Sequence, residues 1–329
     1  MPGPDLRPLS LGELLDRTFT LYRGHFWLFA GITALPQIVV VLLNLLYQGL
    51  QAAPVMAPAS TPAEAAAQFS RVMEAALVAL FLALIVYWFI YSLAWGATTV
   101  AVSEVYLGHA ATIRGSYRRV GNRFWGLVDV VFSVMLRVFG LFLLTILGFS
   151  LATAGMFAAS GKNPVVILLV MLVLLLSMAA SFALAIWLGL RYGVAIPALL
   201  LEELKARQAI RRSVTLTRGY RGRVFLTFLL MAFITWAVTA LFQGPFLIAL
   251  AVMAKSGNIP FWLRALSVIS GGIGGTLSAP LLMIALSLLY YDVRVRKEAF
   301  DLQVMMAALG PATPPPAPQT SAPPAVTET

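Results

Sequence analysis

Residues 201–223, LEELKARQAIRRSVTLTRGYRGR, decide how the rest of the chain reads. Wound as a helix at about 100° per residue, they gather Ala206, Ile210, Ser213, Val214, Thr217 and Tyr220 on one side. Lys205, Arg207, Arg211, Arg212 and Arg218 fall on the other. A basic amphipathic segment between two long apolar runs is expected to lie flat on a membrane surface, apolar face down, with its guanidinium groups toward anionic headgroups. The design occurs three times. Leu15, Thr18, Phe19 and Tyr22 match Ile113, Ser116, Tyr117 and Val120, and these match Ile210, Ser213, Val214 and Thr217, at offsets of 98 and then 97 residues.

The flanking runs set the class. Of 329 residues, 60% are hydrophobic and 11% charged, and the mean hydropathy is +0.89, which marks a membrane protein. Uncharged intervals cover residues 26–63, 75–103, 138–161, 163–190, 224–254 and 265–291. Each exceeds the roughly 20 residues that cross a hydrocarbon core. The expected fold is all-α: a polytopic bundle of six transmembrane helices in three hairpins, each preceded by a cytoplasmic interfacial amphipathic helix.

Charge orients it. Seventeen of the 23 Lys and Arg lie before the first span, between spans two and three, between spans four and five, and after the last. The opposite loops hold Arg71, Lys162, Lys255 and Arg264. By the positive-inside rule the richer face is cytoplasmic, and both termini with it. The formal net charge of +10 therefore signals topology and contact with anionic phospholipid. No aromatic-interleaved soluble module accompanies it, so nucleic acid is not an expected partner; other membrane proteins are. With no cysteine, disulfides, thiolate metal sites and cysteine nucleophiles are excluded. A cleavable signal peptide is not evident, since polar residues are scattered through the first 25 positions.

Surface helices are expected at about residues 10–24, 112–123 and 203–219, and spans at about 26–49, 75–103, 124–157, 164–200, 224–254 and 261–291. Ser10 and Glu13 form a capping box, with Leu9 and Leu14 spaced as a hydrophobic staple. The fourth run is too long for one straight crossing, so it must tilt, kink at Pro197 or emerge. Span six carries a ladder of small residues, Ser267, Gly271, Gly275 and Ala279, suited to close helix packing. Each returning span closes with an acid: Glu104, Glu202 and Asp292. Residues 303–329 are Pro-, Ala- and Thr-rich and expected to be a disordered cytoplasmic tail. The repeats share one orientation, so they relate by rotation about the membrane normal rather than by inversion.

Four stretches carry a resemblance: residues 10–23 (SLGELLDRTFTLYR), 191–202 (RYGVAIPALLLE), 209–219 (AIRRSVTLTRG) and 289–301 (LYYDVRVRKEAFD). Together they resemble the bacterial glycerophosphoryl diester phosphodiesterase membrane domain family, over roughly residues 6–302. The resemblance implies a membrane fold in the bacterial inner membrane. Some such relatives carry a catalytic barrel with histidines and metal-binding carboxylates; this chain is expected to be a stand-alone member without it. Only His25 and His109 occur, neither near a carboxylate cluster. No cofactor or metal is called for, and no set of catalytic residues is found.

The candidate lipid-headgroup contacts are Arg17, Arg23, Arg114, Arg118, Arg207, Arg211 and Arg218. Asp129, Arg137 and Arg191 are the intramembrane polar residues, where a charge is costly. Arg137 and Arg191 have two readings. Either they grip an anionic headgroup or substrate, or they are structural, with Arg191 snorkelling or pairing with Glu104 or Glu202 and Arg137 pairing with another helix. Asp129, eight residues before Arg137, is too far round the helix to bridge it directly. The expected role is a non-catalytic lipid-contacting scaffold or accessory subunit. The alternative is a small transporter or lipid-translocating protein with Arg137, Arg191, Gln37, Asn44 and Gln243 along a polar path; an intramembrane enzyme is a third.

Overall fold

The computed structural model describes residues 7–52, 61–160, 163–255 and 259–299. The tail expected at 303–329 lies outside them. Among the described residues every regular element is a helix: α1 (Leu11–Gly24), α2 (Phe26–Ala52), α3 (Pro62–Tyr106), α4 (Ile113–Gly121), α5 (Phe124–Ser160), α6 (Pro164–Tyr192), α7 (Ala195–Leu201), α8 (Ala206–Thr217), α9 (Arg221–Ala254) and α10 (Phe261–Glu298).

Among the described residues five helical stretches are long and apolar enough to cross a bilayer: Phe26–Gly49, Ile85–Tyr106, Pro164–Leu201, Arg221–Ala254 and Phe261–Glu298. The expected third span falls on α5, a 37-residue helix some of whose side chains lie outside the description. The chain is an all-α polytopic membrane bundle. Its burial is graded. α10 is the central helix, with 67% of its most apolar window buried, while the corresponding window of the α6–α7 stretch is only 7% buried and turns its leucines outward. Trp27 and Trp125 stand out at the start of α2 and α5, and Trp262 at the start of α10, 59–83% exposed, as interfacial tryptophans do.

Local sequence explains the ends. Ser10 Oγ accepts the Glu13 N–H at 3.1 Å while Glu13 Oε2 accepts the Ser10 N–H at 2.6 Å, closing the expected box. Thr112 caps α4 through the Gly115 N–H. Thr61 accepts the Glu64 N–H at 3.2 Å, so α3 starts at Pro62, 13 residues before the expected span start. Pro is favoured in that first turn, where no N–H is needed.

Residues 201–223 are not one helix. Leu201 ends α7, Glu203 takes φ 53°, α8 runs over Ala206–Thr217, and Gly219 at φ +91° reverses the chain into α9; glycine enters that left-handed region without Cβ strain. The long fourth run breaks at Gly193–Val194, upstream of Pro197. Pro197 is the third residue of α7, where its missing N–H costs no hydrogen bond.

The repeat reappears as packing. Each surface helix lies on the end of a returning span: α4 on α3, α8 on α7 and the end of α6, and α1 on α10. The last pairing closes the cycle. At the matched positions Thr18, Ser116 and Ser213 are all completely buried. Their hydroxyls donate to Leu14 O (2.7 Å), Thr112 O (3.0 Å) and Arg191 O (2.8 Å). This corrects the expectation that the apolar faces rest on lipid. Leu14 and Thr18, Ser116 and Val120, and Ile210, Ser213, Leu216 and Thr217 face other helices of the bundle. The stripes are narrow and carry small hydroxyl residues, which fit helix backbones better than hydrocarbon.

Candidate functional site

The surface helices, the ends of α3, α7 and α10, and the start of α9 meet at one basic end of the bundle. There the three span-end acids hold the layer together. Glu104 pairs with Arg119 of α4 at 2.8 Å. Glu202 receives both Arg212 Nε at 2.8 Å and the Tyr290 hydroxyl at 2.7 Å. Arg212 also forks onto Glu298 at 2.6 and 2.7 Å, and Glu298 takes Arg294 at 3.3 Å. Helical periodicity puts Arg212 on the water-facing side; in the structure it turns inward, 26% exposed. Burial works against its charge, but the hydrogen bonds to Glu298 and Glu202 outweigh that and raise its affinity for the proton.

The third acid, Asp292, has a fully buried carboxylate. It accepts the Leu9 N–H at 2.8 Å and both Nε contacts of Arg296 at 3.1 Å. Arg223 Nε lies 2.8 Å from Oδ2, close enough for an ion pair though its N–H makes no well-aligned hydrogen bond. Arg223 and Arg296 both donate to Leu9 O. The segment before α1 is thereby pinned to the start of α9 and the end of α10. Sequence reasoning missed Arg212, Arg223, Tyr290, Arg294, Arg296 and Glu298. The i,i+4 spacing of Asp292 with Arg296 and of Arg294 with Glu298 was the available signal.

The seven candidate headgroup arginines divide. Arg17 is partly buried and donates to the Tyr106 hydroxyl at 3.0 Å, so it serves the bundle. Arg23, Arg114, Arg118, Arg207, Arg211 and Arg218 are exposed, and among the described residues none has a carboxylate within ion-pair distance.

Arg191 is not deep in a span: it lies in the last turn of α6, and its carbonyl receives Ser213 and Thr217 of α8. Neither Glu104 nor Glu202 pairs with it. Its guanidinium stands over the Trp187 ring at 4.4 Å, with Arg221 of α9 over the same ring at 5.5 Å. Arg137 donates to Ser133 O of its own helix at 2.8 Å and lies 6.0 Å from the Tyr192 ring. Asp129 accepts the Ser133 hydroxyl at 3.3 Å and makes no direct bridge to Arg137.

A cavity of about 580 Å³ opens among α3, α5, α6, α7, α9 and α10, its wall almost wholly apolar and including Trp88, Tyr91, Trp95, Tyr192 and Phe228. A separate groove of about 200 Å³ is lined by Gln37, Asn44 and Gln243 with Gly271 and Gly272. Of the residues expected along one polar path, Gln37, Asn44 and Gln243 share the groove, while Arg137 and Arg191 line neither opening. Of the span-six ladder, Ser267 and Ala279 are buried, Gly271 receives the Gln243 side chain and Gly275 the Gln37 side chain. The ladder is used for packing inside the bundle.

A family model described as the membrane domain of glycerophosphoryl diester phosphodiesterase matches residues 162–307. No curated protein and no solved structure matches the chain.

Proposed function

Over residues 162–307 the chain belongs to the family of the glycerophosphoryl diester phosphodiesterase membrane domain, and from that premise we propose a non-catalytic, lipid-contacting scaffold or accessory subunit. The reading puts the basic end at the cytoplasmic leaflet of a bacterial inner membrane, with both termini inside. One observation carries it: Arg23, Arg114, Arg118, Arg207, Arg211 and Arg218 stay exposed on three surface helices while the span-end acids beside them are taken by other cations. Each such arginine near an anionic leaflet contributes about 1 kcal/mol. Anionic phospholipids are thus the primary partner, and other membrane proteins dock on the same platform.

The test is the composition of lipid enriched around the full-length protein in nanodiscs of mixed phosphatidylglycerol and phosphatidylcholine. Wild type enriches phosphatidylglycerol, and a variant with all six arginines changed to glutamine does not. Equal enrichment by both proteins would overturn the reading. A second reading, lipid translocation, is favoured by the apolar cavity beside Tyr192. Its check is transbilayer exchange of a fluorescent phospholipid in proteoliposomes; a rate equal to protein-free vesicles removes it.

A further inference from the structure

Arg191 closes α6 and Arg221 opens α9, and the two guanidinium groups share one indole, Trp187. Cation–π attraction holds each, but the two cations repel one another. Among the described residues neither has a carboxylate within ion-pair distance, and the Nε of each is buried without a hydrogen-bond acceptor. Buried donors of this kind are normally paired. The terminal amino groups of both guanidiniums are not buried in this way; what would pair them is an anion with several acceptor oxygens, and phosphate fits guanidinium geometry. The amino end of α9 has no side-chain cap, and helix amino ends favour anions.

The space behind this pair is the apolar cavity. Leu190, Tyr192 and Gly193, beside Arg191, line it, as do Val224 and Phe225, within about one turn of Arg221. Its volume of about 580 Å³ falls within the range of ligand-holding pockets, about 300–1,000 Å³. The lining residues that are themselves exposed all belong to two helices: Phe182, Ile186 and Gly189 on α6, and Phe225, Phe228 and Leu229 on α9. The cavity is therefore open sideways, between α6 and α9, toward surrounding hydrocarbon; the two arginines do not line it but adjoin its wall through their near chain neighbours Leu190, Tyr192 and Val224.

We propose that the α6–α9 slot binds one anionic phospholipid, its phosphate between Arg191 and Arg221 and one acyl chain in the cavity. The proposal rests on the lipid-contacting reading and narrows it from a surface to a single site. The experiment counts bound lipid by native mass spectrometry, after delipidated full-length protein is mixed with dioleoyl phosphatidylglycerol or dioleoyl phosphatidylcholine. One phosphatidylglycerol is expected to be retained by wild type and by the six-arginine surface variant. Arg191→Gln with Arg221→Gln should lower its affinity at least about tenfold, and Arg191→Lys with Arg221→Lys should restore part of the loss. Gly189→Phe tests the chain separately, since a Cβ there meets no atom within 4 Å and the ring fills open space; it should also weaken retention about tenfold. The melting temperature of each variant confirms folding.

The proposal is overturned if folded variants retain the lipid as wild type does, or if phosphatidylcholine is held equally. It is overturned equally if millimolar inorganic phosphate displaces the lipid while Gly189→Phe has no effect, which marks a free-anion site. Failure of the surface reading has a different signature: the six-arginine variant keeps normal enrichment of surrounding lipid, whatever happens to the single tight one.

Discussion

Leu9 and Asp292, 283 positions apart, are joined by a 2.8 Å hydrogen bond from a backbone N–H to a fully buried carboxylate. Asp292 neutralises Arg223 and Arg296 at the same point. Asp292→Ala would leave two partly buried cations without a counter-charge, and losing one partner of such a group costs about 3–5 kcal/mol. The expected result is a lower melting temperature in detergent together with faster proteolysis before α1.

Arg212 joins three elements, reaching Glu202 at the end of α7 and Glu298 at the end of α10 from its place on α8. Lysine keeps the charge but not the planar fork. Arg212→Lys should cost on the order of 1.5–3 kcal/mol, the scale of a hydrogen bond to a charged group. The pair is partly buried, so the loss should persist at high salt, where an exposed pair would be screened. Thermal melts at two ionic strengths measure this.

Neighbouring glycines of α10 should respond differently to alanine. A Cβ at Gly272 would clash with Val41 Cγ2, and at Gly275 it would meet Gln37 Nε2 at 2.8 Å. Valine is stiff at χ1, whereas the far end of a glutamine swings aside. Gly272→Ala is expected to destabilise by about 1–3 kcal/mol through overpacking, with rescue by Val41→Ala. Gly275→Ala should melt near wild type.

The carboxyl of Glu13 is held down at about 2 by the Ser10 N–H first and then by Arg7. A folded value below the ordinary 4.5 means that this contribution is complete above 4.5 and lost as pH falls toward 2. Hydrogen exchange in the first turn of α1 should therefore accelerate across that window. In Glu13→Gln, which accepts the Ser10 N–H without a charge, the acid dependence there should be absent.

Much of the layout is legible before folding. The capping box at Ser10 and Glu13, five of the six apolar runs and the 18, 116, 213 correspondence follow from period and spacing, which local geometry obeys directly. Amphipathicity, however, reveals which side of a helix is apolar and not what covers it. Lipid and protein are equally dry, so Ala206 and Ile210 point to a membrane surface when their partner is the bundle. Adjacent arginines are equally ambiguous: Arg211 is exposed and Arg212 is bound to Glu202, a choice made by α7 and α10. For the long fourth run, periodicity leaves tilt, a kink at Pro197 and emergence open; the break lies at Gly193–Val194, and Pro197 sits in the first turn of α7, where a proline needs no donor. The Arg191–Trp187–Arg221 cluster joins two spans whose relative placement no periodicity encodes.

The cyclic closure of α1 on α10 fixes an order of assembly. At a synthesis rate of about 5–20 residues per second, roughly 15–60 s separate the emergence of Leu9 from that of Asp292. α1 is made well before α10 completes its seat, and until then its buried side must wait on lipid or a chaperone.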